Sequence, residues 1–195
     1  MSGSPVGNVQ APSISRRARA LKPSSTVAVA MRAKAMQADG LDVLSFGAGE
    51  PDFDTPQNIC EAAIEALRGG ATRYGPSAGL PASRRAIAQK LERDNGLIGV
   101  APENVVVTAG AKTAFYLAMH ALLDTPQPGE RAQEALLPVP AWVSYAPIIE
   151  LAGGRVVELP TTAAGAFKIT PDQLREAIGP QSRVLVLNTP SNPCG

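Results

Sequence analysis

The sequence predicts an α/β fold built on a mainly parallel sheet with helices on both faces. Short apolar runs, "EALLPV" (134–139), "RVVEL" (155–159) and "RVLVLN" (183–188), alternate with helical stretches. That alternation is the pattern of βαβ units. The runs are too apolar for one face to meet water, which argues that both faces are covered. The composition agrees: 45% of residues are hydrophobic but only 4% aromatic, so the core is made of Ala, Val, Leu and Ile.

Each element has a local reason. Ser24, Ser25 and Thr26 can cap a helix that runs to about Ala38 and stops at Gly40. "LDVLSF" (41–46) reads as a short strand, followed by the loop "GAGEPDFDTP". Thr55 caps a second helix with Pro56 in its first position, and Ile59, Ala63 and Leu67 share one face of it. "RYGPSAGLP" (73–81) is loop, and the helix after it ends near Asn95 with Gly96 as an αL cap. "NVVVTAGAKTAFYLAMHALLD" (104–124) reads as strand, tight turn and helix. The helix is apolar almost all round and is expected to be buried. A helix over 143–152 ends at Gly153 and Gly154. Thr170 caps a further helix, with Pro171 in its first position, that reaches Ile178.

Several function classes are excluded. Lys+Arg 18 against Asp+Glu 17 leaves a net charge of +1, which makes no electrostatic case for nucleic acid. No apolar stretch approaches a membrane span. Cys60 and Cys194 form no disulfide framework and no zinc spacing, and the single His120 rules out sites that need two histidines, so no metal is expected. His120 itself reads as a packing histidine. The opening holds Arg16, Arg17, Arg19, Lys22, Arg32 and Lys34 before the first acidic residue, Asp39. Such a stretch is either an organelle transit peptide or a basic surface segment. We take the second reading, with a cytoplasmic location and a disordered lead over 1–13.

Ligands of open α/β sheets bind beyond the carboxyl ends of the strands. Three loops lie there: 108–112, 140–142 and 188–195. In "VVVTAGAKTAF", Gly110 permits a tight turn and a helix starts near Ala111, so free N–H groups and the helix dipole would favour a phosphate. A P-loop is excluded, since Val106 and Ala111 stand where its glycines belong. Taken alone, the stretch reads equally as an ordinary strand-to-helix turn. In "PAWVSYAP", Trp142 either packs in the core or stacks on a flat cofactor ring. In "NTPSNPCG", Asn192 sits between prolines and offers amide donors and an acceptor, or simply makes a turn. Gly47 and Gly49 allow close backbone approach to a ligand or serve the loop, and Tyr74 sits on an exposed loop.

Taken in order, "SRRARALKPSSTVAV", "GAGEPDFDTP", "RYGPSAGLP", "VVTAGAKTAF", "PAWVSY" and "NTPSNPCG" resemble the class I aminotransferases of fold type I, nearest the bacterial-type aspartate enzymes. The resemblance runs from about Ser13 to Gly195. It implies pyridoxal 5'-phosphate as cofactor, an amino acid and a 2-oxo acid as substrates, and a homodimer. It implies that Gly110, Ala111 and Lys112 hold the cofactor phosphate, that Trp142 stacks on its ring, and that Asn192 bonds its phenolic oxygen. Gly49, Trp142 and Asn192 would touch substrate, and Tyr74 would reach the phosphate of the neighbouring subunit. It also implies a division into the lead, a segment 14–50 belonging to a small domain or dimer arm, and an incomplete cofactor-binding large domain over 51–195.

Three departures stand out. Gly110-Ala111-Lys112 replaces Gly-Gly-Lys, which is tolerable if Ala111 is helical and harmful if it needs φ > 0. Cys194 replaces a threonine. None of Lys22, Lys34, Lys90, Lys112 and Lys168 falls in the Schiff-base motif. The family's Schiff-base lysine, ring-nitrogen aspartate and carboxylate-binding arginine come later than Gly195. The resemblance therefore implies no catalytic residue here, and a partial chain that is inactive as written. Two other functions compete with this reading: a non-catalytic α/β module that associates with an aminotransferase subunit, and a generic nucleotide-binding domain. The failed P-loop and the lack of a G-x-G-x-x-G disfavour the second.

Overall fold

Caps and glycines set where the helices begin and end. The computed structural model describes residues 13–21, 23, 25–47, 49 and 51–195. Ser15 accepts the Ala18 amide and opens a short helix, α1 (Arg16–Ala20), which the sequence pattern does not announce. Helix α2 (Ser25–Ala38) is followed by Gly40 at φ 82°. Ser24 and residues 1–12 of the expected lead lie outside the described residues, as does Lys22. Helix α3 (Gln57–Arg68) starts one residue later than expected, with Pro56 as the N-cap in place of Thr55. The Thr55 carbonyl instead accepts from the Cys60 thiol at 3.6 Å. Helix α4 (Pro81–Asn95) has Pro81 in its first position and Gly96 in the αL region (φ 66°, ψ 18°), as expected. Helices α5 (Ala111–Leu122) and α6 (Tyr145–Leu151) follow. In α7 (Pro171–Ala177), Thr170 caps by accepting the Gln173 amide at 3.1 Å.

The sheet is parallel throughout. Strands β1 (Glu134–Val139), β2 (Arg155–Pro160) and β3 (Ser182–Leu185) lie in the order β2-β1-β3. The first strand in sequence is thus the central one: α6 carries the chain across to β2, and α7 carries it from β2 past β1 to β3, the crossovers that parallel pairing requires. Glu134 stands opposite Arg155 in register and forms an ion pair with it. The β1–β3 register is broken between Glu134 and Ala135. Strand β3 is shorter than the expected 183–188, although the Val186 amide still donates to Leu136 at 3.0 Å.

Strand alternation sorts β1 between two faces. Ala135 and Leu137 pack with Met119 and Leu123 at the end of α5, and with Ile148, Ile149 and Ala152 of the α6 segment. Leu136 alternates to the other face, and it and Leu159 are each 2% exposed. Helices α6 and α7 also pack on β2. The turn from α6 into β2 is possible only with glycine. Gly153 has φ 94°, and a Cβ there would stand 2.7 Å from Thr125 Cα.

Three expectations need correction. The apolar runs at 41–46 and 104–107 are not strands, and Phe46 is 93% exposed. A strand exists only through its ladder. Both sides of β1 are already taken, and Val107 donates instead to Ala78 of the 73–81 loop at 3.0 Å. Helix α5 is not buried all round. Only Met119 of its residues is buried, while Leu117 and Leu122 are exposed. It rests on α6 by one side, and no layer of described residues covers the other.

Candidate active site

The carboxyl ends of β1 and β3 open into a cavity of about 360 Å³. Pro140 and Ala141 reach it from the end of β1, and Tyr145 from the start of α6. Asn188, Thr189, Ser191 and Asn192 reach it from the loop beyond β3. Phe167 and Lys168 close it from the segment between β2 and α7. Asn192 is exposed, so its amide is available to a ligand.

The turn before α5 is built to leave donors free. Gly110 takes φ 83° and ψ 159°, and α5 begins at Ala111 with no side-chain cap. Thr108 Oγ donates to the Gly110 carbonyl at 2.9 Å, and Thr113 Oγ donates to Ala109 at 3.0 Å. The amides of Thr113 and Ala114 donate to Gly110, whereas those of Ala111 and Lys112 have no acceptor among the described residues. Two free N–H groups at a positive helix end make a ready anion cradle. Ala111 is helical, so its methyl group is tolerated there.

A chain of aromatic contacts joins this cradle to the cavity. The Lys112 ammonium lies 5.1 Å from the Trp142 ring centroid. Trp142 meets Tyr145 nearly perpendicularly, with centroids 5.2 Å apart. Tyr145 in turn meets Phe115 of α5 at 4.8 Å. Gly110, Ala111, Lys112, Trp142 and Asn192 thus stand around one end of the sheet. Of the expected site residues only Asn192 lines the cavity itself. Gly110, Ala111, Lys112 and Trp142 lie beside it, behind Tyr145. Gly49 and Tyr74 are both exposed away from its lining, with nothing within 4 Å of a Cβ at Gly49.

Sequence reasoning missed Tyr145, which links the two halves of the site. Its signal was the W-x-x-Y spacing in "PAWVSY", the turn that leads into α6, in which the Tyr145 amide donates to the Trp142 carbonyl at 3.1 Å. It also missed Ala166 and Phe167, which take φ 49° and 52° beside the cavity. Nothing in "TTAAGAFKIT" marks that strained pair, because no glycine stands at either position.

Other candidates fall away. His120 is not a packing residue: it is exposed on α5, its Nδ1 lies 2.9 Å from the Tyr116 carbonyl, and its ring stacks on Tyr116 at 4.1 Å. Cys60 is exposed and Cys194 half-buried. The hydrogen bond from Arg93 holds the Asp94 carboxyl below its usual range, but this exposed pair sits on α4, outside the cavity lining. Among the described residues no cluster of His, Cys, Asp or Glu could hold a metal, and no helix is long and apolar enough to cross a membrane.

The parallel sheet with its helices forms part of the large-domain fold of fold type I pyridoxal-phosphate transferases. The chain belongs to the aminotransferases of class I and II, whose family model matches residues 41–195. It is 42% identical over 182 residues to an aspartate aminotransferase of Bacillus sp. (strain YM-2), a match covering 93% of this chain and 45% of that protein. It is 45% identical to an aspartate/prephenate aminotransferase of Thermus thermophilus, covering 93% and 46%. Among solved structures, the Thermus thermophilus aspartate aminotransferase with maleate superposes with a TM-score of 0.85 at 43% identity, covering 93% of this chain and 46% of that one. The chain thus spans about half the length of the curated relatives it matches.

Proposed function

We propose that this chain supplies the cofactor-cradling part of an aminotransferase that moves an amino group from aspartate to 2-oxoglutarate. The names of the relatives support aspartate as donor. The observation that carries the reading is the pair of free amides at Ala111 and Lys112, joined through Trp142 and Tyr145 to the cavity that Asn192 lines.

The residues present fit pyridoxal phosphate. The amides of Ala111 and Lys112, the α5 dipole and the Lys112 ammonium hold its phosphate. Trp142, half-buried and braced by Tyr145, offers a flat apolar surface for its ring. The Asn192 amide donates to its phenolic oxygen. When bound, the cofactor supplies a ring that takes up negative charge from the substrate's α-carbon. The chain's own groups orient that ring and exclude water from one of its faces. Gly49 contributes to the substrate side, and Tyr74 reaches the phosphate of a partner subunit in a homodimer. In this reading residues 51–195 belong to the cofactor-binding domain and 14–50 to the small domain or dimer arm. None of the chain's lysines is the covalent anchor, so the 195 residues alone bind cofactor without turnover.

Titration of the chain with pyridoxal phosphate, followed by absorbance, tests this. Saturable binding that inorganic phosphate competes away is expected, with no amino transfer from aspartate. A folded chain that does not bind would sink the cofactor reading. Transfer by the chain alone would refute the statement about turnover.

A further inference from the structure

Lys112 occupies an uncomfortable place. It is the second residue of α5, where the helix dipole repels a cation, and no ion pair holds it among the described residues. Its ammonium leans instead on the Trp142 ring, 5.1 Å from the centroid. An indole is the best aromatic partner for a cation, but the contact is weak where water has access. Lys112 is exposed and Trp142 half-buried, so water has access here. A cation and a flat cofactor ring cannot occupy the same part of the indole surface.

We infer that Lys112 is a displaceable cover for Trp142. In the cofactor-free protein its ammonium lies on the indole. An anionic phosphate at the amino end of α5 draws it off and bares the ring for stacking. The exchange runs in that direction because a charge-assisted bond to a phosphate oxygen outweighs an exposed cation–π contact. It is also fast, since an exposed lysine changes rotamer in picoseconds to nanoseconds. Phosphate capture and ring stacking are thereby coupled: the phosphate binds and the stacking surface opens in one event. This rests on the reading of the Ala111 and Lys112 amides as a phosphate cradle, and it adds a gating role that the cradle alone does not require.

Trp142 is the only tryptophan in the chain, so its emission reports the contact directly. Inorganic phosphate, which carries no ring, is titrated into the 195-residue chain while tryptophan emission and the phosphorus NMR line width are followed together. In the wild type both should change, with a common midpoint. In Lys112→Met, checked for folding by circular dichroism, the line should still broaden, at several-fold higher phosphate, without an emission change. Lys112→Gln serves as a second charge-free variant. Broadening without an emission change in the wild type, or an equal emission response in the variants, overturns the cover while leaving the cradle intact. No broadening in the wild type overturns the cradle, and the cover with it.

Discussion

Replacing Ile149 with alanine should strip the chain of about 2–5 kcal/mol and leave it only marginally folded at about 25 °C. Ile149 is fully buried against Ala135 and Leu137 of β1 and the end of α5. The site cannot collapse around the loss. Gly154 packs directly beneath it, since a Cβ added there would stand 3.1 Å from Ile149 Cγ2, and the turn that Gly153 makes against Thr125 holds that glycine in place. Truncations of this kind cost about 2–5 kcal/mol. A small domain has about 5–15 kcal/mol in all. Many large apolar side chains of this one stay exposed, Leu187 at 67% among them, so it starts near the low end. Urea unfolding followed by circular dichroism checks this, with Ile149→Val, at about 1 kcal/mol, as the graded control. An alanine variant with an unchanged midpoint would mean that the α5–α6–β1 contacts are not what holds the chain together.

Trp142→Ala should abolish most of the affinity for pyridoxal phosphate. In the proposed function the indole supplies the flat surface, with the Lys112 ammonium and the edge-on Tyr145 ring in contact with it. Losing an aromatic stacking surface, with the apolar area it buries, costs about 2–4 kcal/mol. That corresponds to a rise in Kd of roughly 30- to 1000-fold. Trp142→Phe should keep a good part of the binding, because a smaller ring still stacks. Equilibrium dialysis separates these cases. Wild-type affinity in the alanine variant would rule out stacking on Trp142 and leave the tryptophan as a packing residue.

What could be read from the sequence followed the range of the forces involved. Caps are local, so Thr170 with Pro171 and the αL Gly96 were legible from a few residues each. Strands β1 and β2 were legible because their apolar runs are also central or fully paired in the sheet. The runs at 41–46 and 104–107 look the same locally and yet pair with nothing in the sheet. An apolar run states a need for burial but does not name the partner that meets it. The same holds for the outer side of α5. In the candidate site, Gly110, Trp142 and Asn192 stood out in the sequence because each stands just beyond a strand end or at a helix start. Tyr145 was not, because its role comes from Phe115 and Trp142, which flank it from two different elements.

The central position of β1 also sets an order of assembly. Glu134 meets Arg155 across 21 residues of chain, but Ser182 only across 48. Closing the longer span costs about 0.7 kcal/mol more in chain entropy, so the β1–α6–β2 unit is the natural nucleus and β3 is added to it. In pulsed hydrogen exchange the Arg155 amide, bonded to Gln133, should be protected before that of Val186, bonded to Leu136. The Tyr145 side of the cavity therefore matures first. The asparagine side is fitted last, onto a surface already formed.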